Sequence, residues 1–418
     1  MELVVIGQGY VGLPLSRAAA NAGLKVLGLD ANQGVVDRIN SGNSHVDDVS
    51  DADLRMMLRS GYAATSDFSV LSNASHIVVC VPTPLGDDGR PDLSAVISSC
   101  ETISHHFSSG TTVILESTTY PGTTENLVQP ILEASGKKLD KDFWLAFSPE
   151  RIDPGNPEYG LENTPKVVGG VSEESTRRAV ALYERIVKEV VPVRGSKEAE
   201  TAKLLENTYR HINIALVNEM VKFCHELQID LWNVIDAAKT KPFGFQAFYP
   251  GPGVGGHCIP IDPNYLSYEV ERSLGYPFRF VELAEEVNRS MPRYVVERIQ
   301  DILNLDEKSL RGSKIMLLGI TYKPNIADQR ESPASPIAEI LVSKGAKICF
   351  HDPRVERWNG NSYSLDRVSS LHDALKESDL VVLLQNHLEY DLEWLVDNSK
   401  RFFDTRGVSD RNSKSHRL

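Results

Sequence analysis

An internal repeat limits what this chain can fold into. Three apolar runs typical of buried strands occur in the N-terminal part, at residues 3–7, 23–30 and 75–81. Three more follow in the same order in the C-terminal part, at residues 314–319, 345–352 and 379–384. In both parts the first run enters a glycine and the second ends in an aspartate. Strands that alternate with helical patterns indicate βαβ units on a parallel sheet. The repeat therefore predicts an α/β protein with two Rossmann-like doubly wound domains.

The segment between the two repeats is predicted to be helical. Residues 196–241 contain neither glycine nor proline, and their apolar residues recur at roughly helical spacing. This pattern predicts a long central helix followed by a shorter one, and another helix is expected at about 280–303. An exposed central helix is a natural surface for self-association, so we expect a homodimer. The polar end of the chain, 409–418, is expected to be a frayed tail.

Three domains are predicted from these segments. They are an N-terminal Rossmann domain, a central helical dimerisation domain and a C-terminal Rossmann-like domain, at 1–195, 196–305 and 306–418. A chain of 418 residues is too long for one compact core, which agrees with this division.

Composition and charge exclude several classes of protein. The fraction of apolar residues, 41%, is ordinary for a soluble globular protein, and no apolar run is as long as a membrane span. The formal charge of −13 argues against a nucleic-acid partner. Five scattered cysteines without a C-x-x-C pair suggest neither a disulfide framework nor a metal site. A reducing, cytoplasmic compartment and no membrane association are the expectations.

The first predicted strand runs into the sequence GQGYVG, which places glycines at Gly7, Gly9 and Gly12. Such glycines allow a tight turn, close approach of the backbone to a pyrophosphate, and a helix N-terminus that faces the phosphates. Asp30 ends the next strand, where an acid that binds the ribose belongs, and no arginine follows it. The pattern predicts an NAD site, and a purely structural glycine turn is the alternative.

The C-terminal repeat lacks this set of glycines, because Gly319 is followed by Ile-Thr-Tyr-Lys. It should not bind a dinucleotide in the same manner, but its strand ends could hold a mononucleotide. Lys323 and Arg330 lie in the loop after the first strand of this repeat. A phosphate contact and a solvated basic loop are equally compatible with their spacing.

A glycine-rich loop leads to one of the five cysteines. Cys258 follows Gly255 and Gly256, which would allow close approach of a substrate, and Asp262 comes four residues later. If a helix begins at Pro260, its N-terminus would favour the thiolate and place the acid nearby. A buried, unreactive cysteine in a turn is the alternative.

Lys203 and Asn207 are spaced i, i+4 on the predicted central helix and therefore share a face. Both side chains are suitable donors toward a developing oxyanion. A solvated lysine on a charged helix is the alternative.

Polar segments also follow other predicted strands of the first repeat, where the ligands of parallel sheets bind. VPTP contains Thr83, ESTTYPGTT contains Thr118 and SPERIDPG contains Glu150. Each is also compatible with ordinary turn chemistry.

Eight ordered segments resemble the UDP-glucose/GDP-mannose dehydrogenase family, and they cover nearly the whole chain. They are GQGYVG, VPTP, ESTTYPGTT, SPERIDPG, ETAKLLENTYR, GPGVGGHCIPIDP, GITYKPNIADQRESPA and FFDTRG. The resemblance implies an NAD domain, a central dimerising helix and a second Rossmann-like domain for the nucleotide sugar. It also implies NAD-dependent, four-electron oxidation of carbon 6 of a UDP-sugar to the uronic acid.

The resemblance implies a role for each matching residue. Cys258 resembles the nucleophile that forms a thiohemiacetal and then a thioester. Lys203 and Asn207 resemble the oxyanion donors. The residues that position water and serve thioester hydrolysis are matched by Asp262, Thr118 and Glu150. The implied cofactor contacts are Gly7, Gly9, Tyr10, Val11, Gly12, Asp30, Thr83, Thr118 and Arg330. The implied substrate contacts are Glu150, Arg151, Ile152, Lys203, Asn207, Tyr249, Gly255 and Lys323.

The cysteine loop departs from the UDP-glucose branch of this family. His257 precedes Cys258, and Ile261 stands where that branch has a lysine. The form GGHCIPIDP is more similar to the UDP-N-acetylglucosamine and N-acetylmannosamine enzymes of bacterial polysaccharide pathways. The alternatives are a UDP-glucose or dTDP-glucose 6-dehydrogenase, a two-electron NAD dehydrogenase, and a silent NAD-binding regulator.

Overall fold

A computed structural model describes residues 1–46, 48–86, 89–152, 156, 158–256, 259–410 and 414–418. His257 and Cys258 lie outside the described residues. The chain divides into two compact units, Met1–Glu206 with Ile261–Tyr276, and Asn207–Pro260 with Pro277–Leu418. The three domains predicted from the sequence stay a prediction.

The first unit contains an eight-stranded sheet. Its strands are β1 (Leu3–Ile6), β2 (Val26–Leu29), β3 (Ala63–Thr65), β4 (His76–Val79), β5 (Thr111–Leu115), β6 (Phe143–Phe147), β7 (Lys166–Gly170) and β8 (Val190–Pro192). Their order is β3-β2-β1-β4-β5-β6-β7-β8. Among the described strands of this sheet, only the β6–β7 pair is antiparallel. Because the strand order reverses between β1 and β4, a ligand crevice is expected at their carboxyl ends.

Helices cover both faces of this sheet. They are α1 (Gly12–Asn21), α2 (Gln33–Asn40), α3 (Asp51–Arg59), α4 (Ser94–His106), α5 (Gln129–Glu133), α6 (Glu173–Tyr183), the start of α7 (Ser196–Glu226) and, later in the chain, α9 (Asp262–Leu274). A 3-10 helix spans Phe68–Asn73 and a π-helical turn spans Thr124–Val128. All four residues of β1 are buried. Leu3 and Val5 pack into one core cluster and Val4 and Ile6 into another, as expected for a strand covered on both faces.

The second unit contains a five-stranded parallel sheet with the order β10-β9-β13-β14-β15. Its strands are β9 (Lys314–Leu318), β10 (Lys347–His351), β13 (Leu380–Leu383), β14 (Phe402–Asp404) and β15 (Ser415–Arg417). A short hairpin is formed by β11 (Arg357–Asn359) and β12 (Ser364–Asp366). The helices are the rest of α7, α8 (Leu231–Ala238), α10 (Arg279–Asn304), α11 (Ala334–Ser343), α12 (Leu371–Glu377) and α13 (Leu392–Asp397).

The predicted α/β fold is confirmed, with a Rossmann-like parallel sheet in each unit and a long central helix. Helix α7 extends over 31 residues and is followed by the shorter α8, as the absence of glycine and proline predicts. The expected helix at about 280–303 is α10. None of the described helices is both long and apolar enough to cross a membrane.

The prediction of a frayed C-terminal tail is wrong for the residues that the structure describes there. β15 pairs in parallel with β14 as the edge strand of the sheet. Ser409 is buried, and its backbone N–H and hydroxyl both donate to the Asp404 carboxylate, at 2.6 and 2.8 Å. A polar segment can form an edge strand because backbone hydrogen bonds supply the pairing.

Candidate active site

The glycine turn after β1 lies at the point where the strand order reverses. Gly7 has φ +87°, and a Cβ there would come within 2.6 Å of the Cys80 carbonyl oxygen, where the chain leaves β4. A Cβ on Gly12, the first residue of α1, would overlap the Gly7 carbonyl oxygen. Among the described residues, nothing lies within 4 Å of a Cβ placed on Gly9. Gly7 and Gly12 are therefore needed by the turn itself, and Gly9 leaves space for a ligand.

Asp30 lies beside this turn, directly after β2. Its carboxylate accepts hydrogen bonds from the backbone N–H groups of Gln8 and Asn32, each at 2.9 Å. The side chain is only half-buried, and each carboxylate oxygen has a second lone pair for a ribose hydroxyl. Tyr10 is exposed on the same turn, and Val11 packs partly against the core. These residues fit the adenosine part of NAD.

A buried polar network below the turn was missed by the sequence analysis. The Gln8 side-chain oxygen accepts hydrogen bonds from the Tyr62 hydroxyl at 2.6 Å and the Ser16 hydroxyl at 3.2 Å. Its amide nitrogen donates to the Val5 carbonyl oxygen at 2.8 Å. Burial raises the pKa of Tyr62. No local signal marks Gln8, because it occupies the variable position between two glycines.

Lys203 on α7 is buried, with 6% of its surface exposed. Its ammonium group donates to the Glu150 carbonyl oxygen at 2.8 Å. The alternative of a solvated lysine is therefore wrong. One oxygen of the Glu150 carboxylate accepts from the Ile152 N–H, and the other is buried with no hydrogen bond from a described residue. Asn207 lies one helical turn further along α7 and is also buried.

Arg151 is held by structural contacts in the first unit. Its guanidinium binds the Glu206 carboxylate at 2.7 Å and the Pro165 carbonyl oxygen at 2.7 Å. Ile152 packs against the core of the sheet. The substrate contacts predicted for these two residues stay predictions.

A buried ion pair lies next to the predicted catalytic segments and was also missed. Lys166 contacts the Glu116 carboxylate at 2.9 Å, with both side chains almost fully buried, and the Tyr183 hydroxyl donates to the same carboxylate. Burial raises the pKa of Glu116, and the charge of Lys166 opposes that effect. Glu116 directly follows β5 and comes two residues before Thr118, which is half-buried. The pair therefore supports the end of this strand.

Helix α9, which follows the cysteine loop, packs against the sheet of the first unit. Its buried Tyr265 donates to the carbonyl oxygen of Thr83 at 2.9 Å. Asp262 is the first residue of α9 and is buried, so the helix begins two residues later than the expected start at Pro260. The predicted proximity of Asp262 to Cys258 involves a residue outside the described part of the chain.

In the second unit, a cavity of about 520 Å³ opens where β13 and β14 end. Its lining includes Tyr249, Gln385, Asn386 and Arg406. The Arg406 Nε donates to the Leu384 carbonyl oxygen at 2.7 Å, and burial lowers the pKa of this guanidinium to about 10. The carboxyl ends of parallel strands are where such sheets bind nucleotides. Arg406 belongs to the FFDTRG segment, and only the fold identifies it as a cavity residue.

The loop that carries Lys323 and Arg330 follows β9. The Thr321 hydroxyl donates to the Lys323 carbonyl oxygen at 2.9 Å. The Arg330 guanidinium forms an ion pair with Asp328 at 2.6 Å and is half exposed. Gly255 has no room for a side chain, because a Cβ there would come within 2.8 Å of Tyr322 Cβ. The ligand contacts predicted for Lys323, Arg330 and Gly255 stay predictions.

Three domain models of the UDP-glucose/GDP-mannose dehydrogenase family match this chain. They are the NAD binding domain at residues 1–187, the central domain at 197–290 and the UDP binding domain at 316–411. A UDP-N-acetyl-D-mannosamine dehydrogenase of Methanocaldococcus jannaschii is 35% identical, with 98% of this chain and 93% of the relative covered. One of Campylobacter jejuni is 33% identical, with 93% and 96% covered.

The solved structure of a Pyrococcus horikoshii UDP-D-ManNAc dehydrogenase has a similar fold. It superposes with a TM-score of 0.89 at 31% sequence identity, and the match covers 99% of this chain and 97% of that one. The similarity therefore extends over both units and not only over the NAD binding domain.

Proposed function

The chain belongs to the UDP-glucose/GDP-mannose dehydrogenase family, and from that premise we propose that it oxidises carbon 6 of UDP-N-acetyl-D-mannosamine to the uronic acid. The NAD cofactor and the oxidoreductase class predicted from the sequence are confirmed by the family. The substrate and the four-electron course of the reaction are the proposal.

The choice of sugar rests on the relatives that match almost the full length of this chain. Both relatives described above are UDP-N-acetyl-D-mannosamine dehydrogenases. The cysteine loop supports the same choice, because GGHCIPIDP departs from the UDP-glucose branch at His257 and Ile261. A UDP-N-acetylhexosamine is therefore preferred over UDP-glucose.

The turn after β1 would hold the cofactor through the backbone around Gly9, with Asp30 on the adenosine ribose. When bound, NAD supplies the oxidising chemistry by accepting one hydride in each of two oxidation steps. The half-buried Asp30 carboxylate disfavours a 2′-phosphate, which selects NAD over NADP.

Cys258 is proposed as the nucleophile. The first oxidation removes a hydride and the hydroxyl proton from the carbon-6 alcohol. The Cys258 sulfur then bonds to the aldehyde carbon, and the oxygen takes a proton, which gives a thiohemiacetal. Loss of a second hydride and of that proton gives a thioester. Water breaks the carbon–sulfur bond, the carboxylate leaves, and the thiol is restored. One water is consumed and two hydrides and three protons are released.

Lys203 and Asn207 are proposed to stabilise the oxyanions of these steps. A buried ammonium group stabilises negative charge more strongly than a solvated one, because little water screens it. Glu150 is proposed to serve thioester hydrolysis, since one of its carboxylate oxygens receives no hydrogen bond from a described residue. Asp262 and Thr118 are proposed to position the water.

The cavity in the second unit is proposed as the site of the nucleotide. Arg406 supplies a positive charge for the diphosphate and Tyr249 an aromatic surface for the base or ribose. Lys323, in the loop after β9, is proposed as a further phosphate contact, and Arg330 as a cofactor contact.

A homodimer is proposed through α7. This helix exposes an apolar stripe formed by Tyr209, Leu216 and Phe223, and Leu227 is exposed directly after its end, with exposed fractions in this set from 44% to 64%. Repeats of seven residues place the first three on one helix face, which is typical of helix–helix pairing. Light scattering should give two protomer masses, and a single protomer mass would contradict the proposal.

The decisive experiment measures NADH formed per nucleotide sugar on a panel of UDP-N-acetylmannosamine, UDP-N-acetylglucosamine, UDP-N-acetylgalactosamine, UDP-glucose and dTDP-glucose. We expect two NADH per UDP-N-acetylmannosamine and no acid from Cys258→Ser. Cys349→Ser is the matched control, because burial raises the pKa of that thiol and the proposed chemistry does not use it.

Each other outcome selects an alternative. One NADH per sugar with an active Cys258→Ser variant indicates a two-electron dehydrogenase. A preference for UDP-glucose or dTDP-glucose overturns the choice of sugar, and no NADH with any sugar indicates a silent regulator.

A further inference from the structure

A single buried carboxylate joins two segments that carry proposed catalytic residues. Glu200 on α7 is fully buried. Its Oε2 accepts a hydrogen bond from the Gly122 N–H at 2.6 Å. Its Oε1 accepts two more, from the Thr124 N–H at 2.9 Å and the Thr124 hydroxyl at 2.6 Å. Three donors on one buried carboxylate form a strong anchor, because charge-assisted hydrogen bonds are stronger than neutral ones.

The two joined segments lie close in sequence to proposed catalytic residues. Glu200 precedes Lys203 by three positions on α7, so both side chains lie on one face of the helix. Gly122 follows Thr118 by four positions in the ESTTYPGTT segment. The anchor therefore connects the helix of the proposed oxyanion donor to the loop of a proposed water-positioning residue.

A second connection between the same segments lies at the surface. Glu125 accepts from the Ser196 hydroxyl at 3.0 Å and forms an ion pair with Lys197 at 2.7 Å. Both charged side chains of this pair are partly exposed, so the pair should contribute little to stability. It offers a matched control for the buried anchor.

We propose that Glu200 is a positioning residue of the dehydrogenase reaction, which fixes the Thr118 loop against the helix that carries Lys203. The inference rests on the proposed roles of Thr118 and Lys203. Glu200 acts through these two residues and contacts no reacting atom. Loss of its charge removes an acceptor from a buried N–H group and loosens the loop.

The ionisation of Glu200 gives the anchor a measurable signature. Burial raises the pKa of this carboxyl to about 7, against the opposing effect of its three hydrogen bonds. Glu125 and Tyr120 face it from the loop side, and Lys197 and Glu198 are the charged groups of α7 nearby. Protonation places a hydrogen on one carboxylate oxygen and removes the negative charge of Glu200. The hydrogen bonds that form the anchor therefore become weaker. The kcat of the wild type should therefore fall as the pH drops through about 7.

The test compares Glu200→Gln with Glu125→Gln in the full-length enzyme by hydrogen–deuterium exchange and steady-state kinetics. In Glu200→Gln we expect amide exchange in residues 117–128 to be ~10-fold faster or more, because a glutamine nitrogen cannot accept from Gly122. We expect kcat to fall ~10-fold with both KM values changed less than about threefold. The ionisation near pH 7 should disappear from the kcat profile. Glu125→Gln should match the wild type in amide exchange and in kcat at high pH, and it should keep the ionisation, shifted to slightly lower pH because a negative charge near Glu200 is removed.

Thr124→Val serves if Glu200→Gln does not fold. It removes only the hydroxyl donor, and we expect about threefold lower kcat with an intermediate increase in exchange. Unchanged exchange of residues 117–128 in either variant would overturn the proposal whatever the substrate is. Faster exchange with an unchanged kcat would overturn it as well. A wild type that turns over no sugar of the panel would refute the proposed function, and the exchange result would still decide whether Glu200 anchors the loop.

Discussion

The first two strands of each sheet are followed by the same two residues, a glycine and then an aspartate. The first strand of each ends in a glycine with positive φ, Gly7 at +87° and Gly319 at +70°. An aspartate after the second strand then accepts hydrogen bonds from two backbone N–H groups. Asp30 accepts from Gln8 and Asn32, and Asp352 accepts from Ile320 and Arg354, with all four distances between 2.8 and 2.9 Å. The internal repeat of the sequence is therefore a repeat of backbone geometry.

The two aspartates differ in what covers them. Asp30 is half-buried and faces the glycine turn. Asp352 is fully buried, and the imidazole of His387 lies against it at 3.1 Å. The Asn325 N–H donates to Nδ1 of His387 at 3.0 Å, so Nε2 carries the proton and donates to Asp352.

This difference supports the proposal that the two sheets bind different ligands. In the first sheet the half-buried acid keeps lone pairs for the proposed ribose contact, and α1 begins within the glycine turn. In the second sheet His387 already forms a hydrogen bond with the aspartate. The loop 319–333 separates β9 from α11 there. The aspartate of the second unit therefore orders the loop after β9, since His387 also binds the backbone of that loop, whereas its counterpart in the first unit is proposed to bind the cofactor.

The largest expected effect concerns the internal aspartate. Asp352→Asn should lower the free energy of unfolding by about 3 kcal/mol, because it leaves donors around a buried site without a charged acceptor. The KM for NAD should stay within about twofold of the wild type. Urea denaturation and steady-state kinetics measure the two quantities. A raised KM for NAD with unchanged stability would break the comparison.

A somewhat smaller effect is expected at the glycine turn. Gly12→Ala should raise the dissociation constant for NAD about 100-fold, because the new Cβ overlaps the Gly7 carbonyl oxygen and the turn must shift. Gly9→Ala is the matched control for packing, since its Cβ meets no described atom. Gly9→Ala should fold normally, so any loss of NAD binding there reports contact with the ligand. Isothermal titration measures the dissociation constant for NAD of both variants. Equal losses of unfolding free energy in Gly12→Ala and Gly9→Ala would contradict the predicted difference in packing.

The smallest effect is expected at the half-buried aspartate of the first sheet. Asp30→Asn should raise the KM for NAD ~10-fold, which corresponds to the loss of one charged hydrogen bond to the ribose. Stability and the KM for the nucleotide sugar should change little, because the side chain is half-buried. A drop in the melting temperature as large as that of Asp352→Asn would mean that both aspartates are structural.

Much of the fold could be predicted from local patterns. The strands β1 and β9 and the helices α7, α8 and α10 lie where the apolar patterns of the sequence place them. Local patterning failed at the C-terminal end, where β15 is polar and forms only because β14 offers a free edge. An edge strand depends on a partner that is distant in sequence, so no short window of residues predicts it.

The candidate site was predictable only in part for a similar reason. The spacing of Lys203 and Asn207 indicates a shared helix face, but it does not distinguish a buried face from a solvated one. No short sequence pattern marks Arg406 or Glu200 as a functional residue. Each is identified only by its contacts with residues that are distant along the chain. Family resemblance supplied the roles that spacing left open.

The sequence by itself determined the two βαβ repeats, the central helix, the NAD fingerprint and the family, because these depend on short-range periodicity and on ordered motifs. The tertiary structure decided which of the two equivalent aspartates stays available to a ligand. It also decided that Lys203 is buried and that a carboxylate on α7 anchors the Thr118 loop. Burial and hydrogen bonding between distant segments set these properties, and those are consequences of packing that no local pattern contains.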